Sequence, residues 1–162
     1  MTKNVIIVGM ADLNVMRNPG MLTTLGLGSC VGLNLYDPST KICGMAHIML
    51  PDSKTIKNNS NRAKFVDTAT MDLLARMKAA GANLRGLKAK VAGGAQMFAL
   101  NTANESMKIG QRNSDALLKL LKSLNIPVIA KDVGLNYGRT IELYTEDGRL
   151  VIKTIGHGTK TI

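Results

Sequence analysis

A cysteine and a histidine, Cys30 and His47, stand seventeen residues apart, and the cysteine ends a glycine-punctuated run, Thr24-Leu25-Gly26-Leu27-Gly28-Ser29-Cys30. A thiol attacks as thiolate, and a neighbouring imidazole is the usual means of generating one near neutral pH. Glycines just ahead of a nucleophile let a substrate approach the backbone and can turn amide N–H groups toward a developing oxyanion. The chain has two cysteines and two histidines in all, so Cys43 is the rival thiol and His157 the rival imidazole. Cys43, between Ile42 and Gly44, has no such punctuation and reads as structural. His157, in Gly156-His157-Gly158-Thr159, reads as solvent-exposed. The alternative for Cys30 is a small buried hydrophobe, and for His47 a satisfied core histidine. These spacings fit no zinc pattern, so neither a metal nor another cofactor is expected.

The elements that must carry this pair are legible in part. Val5 to Val8 reads as a first strand. Residues 31–36 alternate as a half-buried strand, Asp37-Pro38-Ser39-Thr40 as a turn, and Lys41 to Leu50 as the returning strand. On that second strand Cys43, Met45, His47 and Met49 share one face, which brings His47 back toward Cys30. Gly26-Leu27-Gly28-Ser29 reads as a loop or bulge. A polar surface loop follows over residues 54–60, then a helix from Arg62 to Ala80 with Val66, Ala69, Leu73, Met77 and Ala80 on one face. Leu87 to Ala92 is a strand opening into Gly93-Gly94. A second helix is expected from Ser114 to Leu124, with Leu117, Leu118, Leu121 and Leu124 buried. Val128 to Ala130 and a hairpin of Thr140 to Tyr144 and Arg149 to Thr154, turning at Asp147-Gly148, complete an α+β chain.

Composition narrows the classes. With 162 residues, 45% of them hydrophobic, and no repeat or linker, one domain over residues 1–162 is expected. No apolar run reaches the roughly 18 residues that span a bilayer, and no signal-peptide pattern opens the chain, so a cytoplasmic protein is expected. The net charge of +10 favours an acidic partner, but the basic residues are dispersed and aromatics are 3% of the chain. Nucleic acid is therefore not expected as a partner. Gly93-Gly94 lacks the lysine of a phosphate loop and reads as a tight turn. Arg112 and Asn113 precede the second helix, Asn113 as a fair cap, and either could meet a substrate amide.

Several short motifs in a fixed order carry a resemblance. They are Asn18-Pro19-Gly20, Thr24 to Cys30, Gly44 to Ser53, Ala92-Gly93-Gly94-Ala95-Gln96-Met97-Phe98, Ile109 to Asn113 and Gly138-Arg139-Thr140-Ile141. In these the chain resembles the CheD family of chemoreceptor glutamine deamidases. The resemblance implies layered β-sheets flanked by helices, similar to the cysteine deamidase toxins, and a protein-glutamine glutaminase. It places the family's Cys on Cys30, its His on His47 and its Thr on Thr24. Ser29 and Gly28, with Gly93, Gly94, Arg112 and Asn113, would shape the substrate surface. Chemotaxis receptors would be the protein substrate, and a CheC-type phosphatase a further partner. A non-catalytic protein that binds and stimulates that phosphatase is the alternative. One departure stands out: after Asp132-Val133-Gly134 this chain has Leu135 where the family tends to have glycine.

Overall fold

A computed structural model of the chain describes residues 4–97 and 108–162. Phe98, part of one motif above, lies outside them. Ten strands and two helices follow in chain order among the described residues: β1 (Val5–Ile7), β2 (Asp12–Arg17), β3 (Met21–Leu27), β4 (Val31–Asp37), β5 (Ile42–Ile48), α1 (Val66–Ala79), β6 (Lys88–Gly93), α2 (Ile109–Ser123), β7 (Val128–Val133), β8 (Arg139–Tyr144), β9 (Leu150–Thr154) and β10 (Gly158–Thr161). They form two five-stranded sheets, ordered β1-β3-β8-β9-β10 and β2-β5-β4-β6-β7. Only β1 with β3 and β6 with β7 run parallel. The fold is α+β and layered, as expected.

Burial explains the layering. Every residue of β4 and β5 is buried, which requires cover on both faces of their sheet. On one face Leu33, Leu35, Ile42, Ala46 and Ile48 pack with Leu73 and Met77 of α1 and Leu117 and Leu121 of α2. On the other, Cys43, Met45 and Cys30 meet Leu22, Leu27, Ile141 and Ile152 of the second sheet. The expected face-sharing of Cys43, Met45 and His47 is therefore real: that face lies between the sheets.

Two helix starts differ from the sequence reading. The first helix begins at Val66 because Phe65 is extended and bridges to Leu50; Arg62–Lys64 is a separate 3₁₀ turn. The second begins at Ile109, so Gly110, Arg112 and Asn113 are helical and Asn113 caps nothing. A side chain on its Gly110 would run into the Gly94 and Ala95 backbone. Strands β2, β3 and β10 were not foreseen. No helix among the described residues is long and apolar enough to cross a membrane.

Leu135 has a physical cost. It is 61% exposed and holds φ at 62°, the left-handed region, where a bulky side chain is strained by about 1–2 kcal/mol. Glycine removes that strain, and its greater freedom in the unfolded chain returns about 0.5–1 kcal/mol of it. Leu135→Gly is therefore expected to stabilise by about 0.5–1 kcal/mol, read as a small rise in Tm.

Candidate active site

The chain crosses between the sheets twice in succession, from β2 to β3 and back to β4. Cys30 sits at the second crossing, immediately before β4. Gly26, with φ of 66°, falls at the register break between Thr24 and Leu27, so the predicted bulge is present at the end of a strand rather than in a loop. Gly32 is paired with His47 across β4 and β5. Cys30, two residues before Gly32, thus lies one step along the same inter-sheet face from His47. Thr24 reaches the imidazole from the opposite sheet: its Oγ1 is 2.7 Å from His47 Nδ1.

That contact fixes the tautomer. Thr24 Oγ1 also lies 2.7 Å from the Val8 carbonyl oxygen, which can only accept. The one hydroxyl proton goes to Val8, so His47 Nδ1–H must donate to Thr24. The Nε2 lone pair is then bare, and Nε2 is buried without a hydrogen-bond partner among the described residues. An imidazole poised in this way is set to receive a proton.

Burial sets the charge state. It pushes the Cys30 thiol above its usual 9.0, with the residue's own backbone N–H pulling the other way. It also holds His47 below its usual 6.5. Both groups are therefore neutral at rest at neutral pH, not a preformed ion pair. Cys30 is 7% exposed and His47 1%, so the imidazole is the more fully shielded of the two.

The loop carrying Cys30 is held by its carbonyls. The Gly28 oxygen accepts from Ala95 N–H at 2.9 Å, and the Cys30 oxygen from Gly94 N–H at 2.8 Å. The Ser29 oxygen accepts from Asn113 Nδ2 at 2.9 Å. In a trans peptide the N–H points opposite to the carbonyl. With the Gly28 and Ser29 oxygens drawn toward α2 and the end of β6, the Ser29 and Cys30 N–H groups face away from them.

Of the other sequence candidates, Gly93 and Gly94 line up against Cys30 backbone. Gly93 holds φ at 105°, and a side chain there would run into the Cys30 carbonyl. Arg112 is exposed on α2. Asn113 is fully buried inside α2 rather than ahead of it: its Nδ2 donates to the Ser29 and Met49 oxygens, each at 2.9 Å, and its Oδ1 has no hydrogen-bond partner among the described residues. Cys43 is buried and pushed up to about 12 by desolvation, with Asp147 adding to the rise, which leaves it unreactive. His157 is exposed and stacked on Tyr137 at 4.1 Å. Among the described residues, no three His, Cys, Asp or Glu side chains gather as a metal site would need.

The profile of the family described as CheD chemotactic sensory transduction matches residues 49–154. The chain belongs to the CheD family. A "Probable chemoreceptor glutamine deamidase CheD" of Caldanaerobacter subterraneus subsp. tengcongensis is 54% identical over 162 residues, all of both chains. The "Chemoreceptor glutamine deamidase CheD" of Halalkalibacterium halodurans is 54% identical over 160 residues, 98% of this chain and 99% of the other. The CheD profile match begins two residues after His47, whereas these relatives align across Thr24, Cys30 and His47 as well. Among solved structures, the hypothetical protein YfiH of Bacillus licheniformis is 15% identical over 77% of this chain and 51% of its own, with a TM-score of 0.42.

Proposed function

We propose that this CheD-family chain is a chemoreceptor glutamine deamidase in which Cys30 is the nucleophile, His47 the proton carrier and Thr24 the group that orients it. The observation that carries the reading is the Thr24–His47 hydrogen bond, which leaves Nε2 free on the face that Cys30 shares. Cys30 Sγ attacks the side-chain carboxamide carbon as its proton passes to His47 Nε2. The carbonyl oxygen becomes an oxyanion, met by the Ser29 and Cys30 N–H groups. As the C–N bond breaks, Nε2 returns the proton to the leaving nitrogen, which departs as ammonia and leaves a thioester on Cys30. Water then attacks the thioester, giving its proton to Nε2. Collapse releases glutamate, and the proton returns to sulfur.

The chain acts, on this reading, as one deamidase domain in the cytoplasm, where the receptor signalling region lies. A protein glutamine suits a site whose nucleophile sits at a sheet crossing, and the net charge of +10 suits an acidic receptor segment. A CheC-type phosphatase is proposed as a second partner, supported by the family resemblance and checked by binding of the Cys30→Ala protein. The functional test is incubation with a chemoreceptor cytoplasmic fragment and peptide-level mass spectrometry. Each deamidated glutamine gains about one dalton, the difference between amide and acid. Unchanged fragments from several receptors would sink the reading.

Thr24→Val keeps the side chain's shape and removes the acceptor for Nδ1–H. The tautomer is then no longer fixed, and kcat is expected to fall by roughly 10–100-fold with KM unchanged. The buried Val8 oxygen also loses its donor, at a cost of about 1–3 kcal/mol read as a lower Tm.

A further inference from the structure

We infer that Asn113 is a positioning residue for the oxyanion donor, acting through the Ser29–Cys30 peptide. The inference rests on the deamidase reading above. A carbonyl and the N–H of the same peptide point in opposite directions, so whatever holds the Ser29 oxygen also aims the Cys30 N–H. Asn113 Nδ2 holds that oxygen at 2.9 Å. The same Nδ2 donates to the Met49 oxygen at 2.9 Å, two residues beyond His47. One amide group therefore ties the residue before the nucleophile to the strand that carries the imidazole.

The tie is rigid because its base is rigid. Asn113 is fully buried on the second turn of α2. The first turn is pressed against the neighbouring strand end, since a side chain on Gly110 would overlap Gly94 and Ala95, and one on Gly94 would overlap the Gly110 carbonyl and crowd Ser114. Gly94 and Ala95 are the residues whose N–H groups hold the Cys30 and Gly28 oxygens. Helix α2 thus fixes the three consecutive carbonyls of Gly28, Ser29 and Cys30, two through that strand end and one through Asn113. An N–H held before the reaction stabilises the oxyanion without reorganising when charge develops.

A carboxylate at this position would set oxygens against the oxygens of Ser29 and Met49, and a leucine would offer no donor. Asn113→Leu and Asn113→Asp are compared with wild type on the receptor fragment, with circular dichroism as the check of fold. Two readouts separate positioning from general loosening. Deamidation develops an oxyanion; alkylation of Cys30 by iodoacetamide, followed by peptide mapping, does not. The expected result is a fall in kcat of about 10–100-fold with KM within about twofold and Cys30 alkylation within about twofold of wild type. An unchanged kcat, or alkylation falling in step with kcat, would overturn the inference. Failure of both variants to fold would also overturn it, by making Asn113 a residue of stability alone. If wild type itself leaves the fragment unchanged, it is the deamidase reading that fails.

Discussion

Cys30→Ala is expected to lower deamidation of a receptor fragment by at least about 10³-fold, to the level of the buffer control. The substitution removes the atom to which the acyl group would transfer, and no second thiol can substitute. Cys43 faces the same inter-sheet layer but is fully buried, with its thiol pushed up to about 12. The loss should not be a loss of fold. Cys30 contributes a single sulfur at the margin of the inter-sheet core, and the loop is held by its carbonyls rather than its side chain. Its removal costs on the order of 1 kcal/mol. Unfolding curves of the two proteins should nearly coincide. A Cys30→Ala protein that still binds a CheC-type phosphatase would separate binding from chemistry.

His47→Ala is the second large effect, expected at roughly 10²–10⁴-fold in kcat/KM at neutral pH. Its pH profile is the sharper readout. In wild type the reactive form is neutral thiol beside neutral imidazole. Burial holds the imidazole below 6.5, so the rate should fall only as pH drops below that value. Burial also raises the thiol above 9.0, so the plateau should extend through neutral pH to the alkaline side. These limits belong to the coupled pair rather than to either group alone. In His47→Ala the acid limb disappears and the residual rate climbs with thiolate, rising with pH through 9.0. A resting ion pair would behave differently, with a thiolate present well below neutral pH and a narrow bell. The pH profile of the wild-type protein distinguishes the two states.

How much of this was visible in the sequence depends on what each residue does. Cys30 announced itself because its glycines are needed where they stand: Gly26 takes a left-handed φ at the bulge. His47 was placed on the correct face by simple alternation, since β5 is regular throughout. Thr24 carried no signal of its own. One threonine in a strand is unremarkable, and its partner is a histidine on another sheet, so only the family resemblance pointed to it. The bulge that shapes the site also hid β3, because it breaks the alternation between Thr24 and Leu27. Strand β2 was hidden by Leu13 and Met16, buried three apart rather than two, and β10 by its exposure at every residue. Asn113 was misread for a plain physical reason. A polar residue ahead of a leucine stripe looks like a cap, and nothing local says that its amide is needed against two backbone carbonyls distant in the chain, those of Ser29 and Met49.

The central claim is that the acyl group of a receptor glutamine passes through Cys30. Trapping that intermediate tests it most directly. Wild-type protein and a receptor fragment are mixed, quenched in acid within the first turnover, and digested for mass spectrometry. The expected species is a Cys30 peptide joined to the glutamine peptide with loss of one ammonia, cleaved by hydroxylamine and absent from Cys30→Ala. Deamidation that proceeds in the Cys30→Ala protein, with no adduct on wild type, would contradict the account.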